Sequence, residues 1–252
     1  MPKTWISRNL LPQFTMLSAI LRNKSKGFTL VELIAVIAII GILAALLFPT
    51  ITGIQNRAKR TQASSNLRQI TLGYLNFSSS GGTTRKMTTA NTPDVYTWAA
   101  RIARYGGMNN ATVYFVSGDP AHDTLAAIPA VVLEDVSNLS SISPDFNGSP
   151  MSYSAARNLP SSAPASTTPI IWTRGLESSG DWSENSPFSG KVGHIGFLDG
   201  HVSQYGTLRD EEGGSSGLLL VLGSRTAEKT TDITRAVGGS NNVLTPSVGG
   251  GN

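Results

Sequence analysis

A long apolar run near the N-terminus is the strongest pattern along the chain. Residues 33–48 form sixteen consecutive positions without a charge or a strongly polar group. Extended back to Phe28, the run covers 21 residues, and only Thr29 and Glu32 interrupt it. An α-helix needs about 20 such residues to cross the hydrocarbon core of a bilayer. The pattern therefore predicts a membrane-spanning helix over residues 28–49.

Beyond Pro49 the apolar pattern changes to the periodicity of an amphipathic helix. Apolar side chains recur at spacings of three and four within residues 50–77, which places them on one helical face. We therefore predict one long helix that begins at Phe28 and carries this segment as its amphipathic half. The apolar stripe needs a covering layer, for which we expect a sheet. Its members are Ala63, Leu67, Ile70, Tyr74 and Phe77.

Shorter patterns follow over residues 78–212, which we predict as a globular α+β domain. A second helix is expected near Pro93, with Thr92 as its N-cap and Gly106 at its end. A long helix followed by short strands predicts a small antiparallel sheet packed on that helix. The strand-like runs are residues 112–116, 130–133, 151–155 and 169–173.

The clearest hairpin lies in the sequence KVGHIGFLDGHVSQYG, residues 191–206. A two-residue type I′ turn at Asp199-Gly200 is predicted, which sets Phe197 opposite Val202. In that register His194 and His201 share a face but lie too far apart along the strands to bind one ion. Residues 213–252, rich in Gly, Ser and Thr, form a separate C-terminal region.

The net charge is concentrated before the apolar run. The formal charge is +4, but five basic residues and no acid precede Phe28, so the remainder carries 4 − 5 = −1. This remainder gives no electrostatic indication of a nucleic-acid partner. The chain contains no cysteine, which excludes disulfides and cysteine-based metal or nucleophile sites. The sequence shows no nucleophile elbow, no HExxH and no phosphate loop, so we expect no enzyme.

The remaining charges are polarised along the chain. Residues 53–104 hold eight Lys/Arg and one acid, a balance of +7. Residues 119–252 hold seven Lys/Arg and fourteen acids, a balance of −7. Two solvated faces would account for this pattern. The alternative is electrostatic contact between identical subunits.

The junction before the apolar run reads Lys26-Gly27-Phe28-Thr29-Leu30-Val31-Glu32. This arrangement resembles the class III leader of type IV prepilins and type II secretion pseudopilins, and the likeness covers about residues 24–75. The resemblance implies that a prepilin peptidase removes residues 1–27, the leader, by cleaving after Gly27. Phe28 would then become the N-methylated first residue of the mature chain. Met16 offers an alternative start with a shorter leader.

Two further residues take roles from this resemblance. In the family, a glutamate at the position of Glu32 pairs with the N-terminal amine of a neighbouring subunit and sets the register of assembly. A pair within one chain, between Glu32 and Phe28, is the alternative because these residues are four apart in a helix. Pro49 is expected to kink or locally melt the helix, or simply to end the membrane span.

The resemblance implies a structural subunit of a type II secretion pseudopilus that polymerises through its N-terminal helix. The alternative is a type IV pilus pilin, or a minor tip pilin with a role in adhesion or DNA uptake. The implied location is a single pass through the bacterial inner membrane, with a cytoplasmic N-terminus and a periplasmic globular domain. The implied partners are prepilin peptidase, identical or related pseudopilins, the assembly platform protein and its ATPase, and the membrane, without nucleic acid.

A second, weaker resemblance concerns the C-terminal hairpin. The sequence GFLDGHV, residues 196–202, is similar to the end of the H-x9-DG signature of some pilin-like proteins. The histidine departs from that signature, because Ser189 occupies the position ten before Asp199. No cofactor is expected, although major pseudopilins bind calcium near their C-terminal loops. The carboxylates that could supply oxygen ligands here are Asp181, Glu184, Asp210, Glu211 and Glu212.

Overall fold

A computed structural model of the protein describes residues 27–79, 86–210 and 217–247. The chain divides into two compact units between Ile51 and Thr52. The first helix, α1, spans Leu30–Ser79, which confirms the prediction of one long N-terminal helix. The helix is continuous through Pro49, and the role of Pro49 in assembly stays a prediction. A proline removes a single backbone donor, and helical backbone can continue on both sides of it.

The apolar pattern predicts a membrane span over residues 28–49. Within the three described ranges, however, no helix meets the combined requirements of length and apolar character for crossing a membrane.

The second unit is built around a five-stranded antiparallel sheet in the order β4-β3-β2-β1-β7. The α+β prediction of a long helix on a small antiparallel sheet is therefore confirmed. A two-stranded sheet, β5-β6, accompanies it. The strands are β1 (Tyr153–Ala156), β2 (Pro169–Thr173), β3 (Gly193–Phe197), β4 (Val202–Tyr205), β5 (Leu219–Leu220), β6 (Lys229–Thr230) and β7 (Val243–Leu244).

Two short α-helices also lie in the described residues. Helix α2 spans Val95–Tyr105 and α3 spans Ile233–Ala236. The N-cap of α2 is Asp94, whose side chain accepts a hydrogen bond from Thr97 N at 2.7 Å, so the prediction of Thr92 as the cap is wrong. An Asp carboxylate directly before the first turn satisfies an orphan N–H, which makes it a strong cap.

Both faces of the large sheet are covered, because side chains along each strand alternate between two cores. On one face the predicted stripe of α1 packs with α2, and all five of its members are buried. On the other face Trp172, Ile195 and Phe197 pack against the C-terminal segment, including Leu219 and Ile233. Burial on both sides explains why β2 reads as the unbroken apolar run PIIWT. The C-terminal residues also enter the large sheet, since β7 pairs with β1.

Two predicted strands are wrong. Residues 112–114 belong to a 3₁₀ helix, Ala111–Tyr114, whose N-cap Asn110 accepts a hydrogen bond from Thr112 N. Residues 115 and 116 follow it without strand structure. Residues 130–133 form only isolated bridges, one of them between Asn110 and Val131. Most branched and aromatic residues in these runs are buried, among them Val113, Tyr114 and Val132. Burial therefore selects the same residue types that a strand would. By contrast β2 begins and ends at the residues that the sequence predicts.

The β3–β4 hairpin has a register one residue away from the predicted one. Gly196, not Phe197, pairs with Val202, and Phe197 N donates to His201 O at 3.0 Å. The loop therefore contains three residues, and its last, Gly200, has φ +95°, as in a type I turn followed by a G1 bulge. The shift places His194 and His201 on opposite faces of the hairpin, because side chains alternate along a strand.

Candidate functional site

The N-terminal end of α1 carries a reciprocal hydrogen-bonded cap. Thr29 N donates to Glu32 Oε2 at 2.9 Å, and Glu32 N donates to Thr29 Oγ1 at 3.2 Å. The Thr29 hydroxyl also lies 2.9 Å from Glu32 Oε2. This geometry is a capping box, in which the first and fourth residues of a Thr-x-x-Glu sequence satisfy each other's backbone donors. The sequence signature Thr29-Leu30-Val31-Glu32 could have predicted it.

The capping box fixes where the Glu32 carboxylate lies. It is held at the first turn of α1, where the helix dipole favours a negative charge. Thr29 is the residue directly after Phe28, so cleavage after Gly27 would create a positively charged amine one residue away from the cap. A Cβ atom added at Gly27 would meet no atom of the described residues within 4 Å. The roles of Gly27, Phe28 and Glu32 in processing and assembly stay predictions.

Residues 27–46 of the first unit are all exposed, and most of their side chains are apolar. Phe28 is 79% exposed, Val31 74% and Leu46 69%. Apolar side chains on every side of one helix cannot all be buried by a single sheet that packs against one face. An apolar surface of this extent marks contact with other apolar helices or with lipid. Pro49, the other predicted assembly residue, lies within α1.

The predicted calcium ligands are not gathered at one place in the described residues. Asp181 accepts a hydrogen bond from Thr207 Oγ1 at 2.9 Å and forms an ion pair with Arg209. Asp210 lies 3.9 Å from Lys229 Nζ, and Glu184 is exposed. In the described ranges no three His, Asp or Glu side chains are placed to hold a metal ion. Glu211 and Glu212 lie outside the described residues.

A buried polar network that the sequence did not reveal lies inside the second unit. Asp119 forms an ion pair with Arg174, and both side chains are almost fully buried. Ser152 Oγ donates to Asp119 Oδ2 at 2.7 Å, and Arg174 donates to Asn185 O at 2.6 Å. These residues are far apart in sequence, so no local pattern could have predicted the network.

The network contains Ser, His and Asp but lacks the geometry of a catalytic triad. In a triad, the serine and the aspartate contact different nitrogens of the histidine ring. Here Ser152 Oγ and Asp119 Oδ2 both face His122 Nε2, at 3.2 Å and 3.5 Å. Ser152 is fully buried, and Val116 N donates to its hydroxyl. The arrangement therefore joins three separate segments of the chain and gives no accessible nucleophile.

The comparisons with known proteins agree with the leader sequence. The family described as "Prokaryotic N-terminal methylation motif" matches residues 22–48. The chain is 43% identical over 54 residues to the "Type IV major pilin protein PilA" of Myxococcus xanthus (strain DK1622). That match covers 21% of this chain and 24% of the relative, so the chain spans about a quarter of the relative's length. No solved structure matches the chain significantly.

Together these findings support a type IV pilin-like protein with a class III leader. The α+β arrangement of α1 on the antiparallel sheet is consistent with a pilin fold.

Proposed function

We propose that this chain is a structural subunit of a type II secretion pseudopilus, assembled from the inner membrane. The observation that carries the proposal is the methylation motif at residues 22–48, followed by a helix whose apolar side chains are exposed all round. Such a helix would be stable in lipid before assembly and among identical helices afterwards. The Glu32 carboxylate at its first turn supplies a partner for a neighbour's Phe28 amine.

The proposed life of the subunit has three steps. Prepilin peptidase cleaves after Gly27 and methylates Phe28 while the helix spans the inner membrane once, with the leader in the cytoplasm. The platform protein and its ATPase then extract the mature subunit. The subunit joins identical or related subunits, with its globular unit facing the periplasm. In this reading the protein performs no catalysis, and nucleic acid is not a partner.

A type IV pilus pilin is the second candidate, and the match to a protein named as a type IV major pilin favours it. Deletion of the gene, followed by two measurements, separates the candidates. For a pseudopilin, the activity of secreted enzymes outside the cell falls and the same enzymes accumulate in the periplasm. Surface pili in electron micrographs stay unchanged. For a pilin, sheared surface filaments disappear and secretion continues. Unchanged secretion and unchanged filaments would contradict both candidates.

A further inference from the structure

A polar groove runs between the exposed side of α1 and the β3–β4 hairpin. Its volume is about 460 Å³, and β4 is the edge strand of the large sheet at this place. A smaller cleft of about 160 Å³ continues from it, and Arg60 lines both. We call the two together the basic groove. Its polar lining includes Arg60, Ser64, Arg68, His194 and Gln204 in the larger part and Lys59 and Lys191 in the smaller.

The chemistry of the basic groove suits an oxyanion. Four cationic side chains and several hydroxyls line it, and none of the lining residues that the structure describes is acidic. A guanidinium presents its N–H donors in a fork that matches a carboxylate or a phosphate. Cationic side chains on a protein surface are commonly paired with acidic ones. Within the described part of the subunit, the cations of the groove have no such counter-charge among the lining residues.

His194 adds an independent observation. Its side chain is 1% exposed, and its Nδ1 has no hydrogen-bond partner among the described residues. A buried polar atom without a partner is costly and calls for an explanation. His194 lines the larger part of the groove, but Nδ1 is enclosed by protein in this conformation. An acceptor bound in the groove could therefore satisfy this N–H donor only after the imidazole turns toward the groove.

The chain itself offers the complementary surface. Between Arg104 and Arg157 there is no Lys or Arg, and residues 119–145 contain five acids. Asp119 is buried in its pair with Arg174, and the other four are exposed. We call these four the acidic segment: Asp123, Glu134, Asp135 and Asp145.

We propose that the basic groove receives carboxylates of the acidic segment from a second copy of this chain. The inference rests on the proposed filament, in which each copy uses two different surfaces and the contact repeats without closing. A lipid phosphate has the same chemistry but fits the position less well. Arg60 lies 60 − 49 = 11 residues beyond Pro49, which is about 16 Å along a helix at 1.5 Å per residue. Lipid headgroups extend only about 5–8 Å beyond the hydrocarbon on each side.

The first test uses charge reversal in the full-length chain. In R60E/R68E we expect cleaved subunit in the membrane at the wild-type amount and filament yield lower by about tenfold. Adding E134R/D135R/D145R to the same chain should restore most of the yield, because every interface then regains opposite charges. The control K86E/R225E makes the same change of net charge at two exposed positions and should assemble normally. Wild-type yield from R60E/R68E would overturn the proposal.

The second test maps the contact directly and exploits the absence of native cysteine. One tagged copy carries S65C, beside the groove, and a differently tagged copy carries D145C or E134C. Oxidation in membranes and in filaments should give a disulfide-linked pair that contains both tags. S78C, which is also exposed on α1, replaces S65C in the control and should give none. Absence of any S65C product with both acidic positions would overturn the proposal.

Two outcomes separate the alternatives. If the wild-type chain forms no filaments, the proposed function fails, and cross-linking of subunits in the membrane still decides whether the groove binds the acidic segment. Vesicles of phosphatidylcholine with phosphatidylglycerol test the lipid phosphate. Loss of vesicle binding in R60E/R68E, with wild-type filament yield and no cross-link, would assign the groove to lipid and overturn the proposal.

Discussion

Gly106, at the end of α2, lies against the backbone carbonyl of Gly73 in α1. A Cβ atom on Gly106 would lie 2.2 Å from Gly73 O, and one on Gly73 would lie 2.9 Å from Ile102 Cγ2. Neither distance is sterically possible without movement. In the sequence Gly73 looks like a cost to helix stability, but the structure shows that it allows α1 and α2 to approach closely.

This contact predicts that Gly106→Ala destabilises the globular unit. Gly106 has φ −97°, which alanine adopts without strain, so the effect isolates the steric contact with backbone. Overpacking of this kind costs about 1–3 kcal/mol, which denaturant unfolding of the full-length protein in detergent should reveal. Gly206→Ala is the control, because its Cβ would meet Lys191 O at 3.9 Å, an ordinary van der Waals distance. Equal unfolding free energies for the two variants would contradict the prediction.

The buried ion pair predicts a different kind of energetic coupling. Asp119→Asn leaves the Arg174 charge buried without a counter-charge, which costs about 3–5 kcal/mol of unfolding free energy. Arg174→Met leaves Asp119 in the same condition. The double variant should lose much less than the sum of the two single losses. Additive losses in this double-mutant cycle would show that the two side chains do not stabilise each other.

Features with a local cause are predictable from the sequence. The stripe from Ala63 to Phe77 follows from helical spacing, and β2 follows from a short apolar run. The register of the β3–β4 hairpin is not predictable from the sequence, because Asp199-Gly200 suits both a two-residue turn and the observed three-residue loop. That choice depends on tertiary packing: Cδ1 of Leu75 in α1 lies only 3.1 Å from the Cβ position of Gly200.

The candidate site divides in the same way. Thr29 and Glu32 are three residues apart, so the capping box is written in the local sequence. The basic groove joins α1 to a hairpin more than a hundred residues later, and its residues carry no shared spacing. The pairing of Asp119 with Arg174 likewise depends on the fold, which no motif of these residue types encodes.

His194 predicts a loss of stability in mild acid. Burial lowers the pKa of its imidazole to about 4, against an ordinary value of 6.5, although a hydrogen bond with Gln204 acts in the opposite direction. Between these two values the unfolded chain binds the proton and the folded chain does not, so stability is lost as the pH falls from 6.5 to 4. The loss attributable to His194 is at most about 3 kcal/mol.

Unfolding free energy measured across this pH range provides the test. His194→Gln should flatten the slope, although some slope will remain because burial also lowers the pKa of His122. A wild-type slope in His194→Gln would mean that His194 is not the titrating group.

Processing gives a prediction that mass spectrometry can settle. The N-terminal peptide of the mature protein should begin with N-methyl-Phe28, because the basic residues, Gly27 and the apolar run have the order of a class III leader. Purified membrane material is digested and its N-terminal peptide is sequenced. Gly27→Leu should block cleavage, since a bulky residue hinders the close approach of backbone to the peptidase. A mature chain that retains residues before Gly27 would contradict the prediction.

The capping box allows the two roles of Glu32 to be separated. Glu32→Val removes the cap and the carboxylate, whereas Thr29→Val removes the hydroxyl that caps the helix and leaves the carboxylate in place. Loss of a cap costs about 1 kcal/mol of helix stability. Loss of the carboxylate leaves a neighbour's Phe28 amine unpaired in an apolar site, which costs roughly 3–5 kcal/mol.

We therefore expect Glu32→Val to be inserted and cleaved normally, because Gly27 and Phe28 are unchanged, but to enter filaments poorly. Thr29→Val should assemble much better than Glu32→Val, and Glu32→Asp should be intermediate because the charge remains but reaches less far. The measurement is the ratio of cleaved membrane subunit to sheared filament, in cells with and without the wild-type protein. Equal defects in Thr29→Val and Glu32→Val would assign Glu32 to capping alone. Wild-type assembly of Glu32→Val in both kinds of cell would remove the carboxylate from assembly altogether.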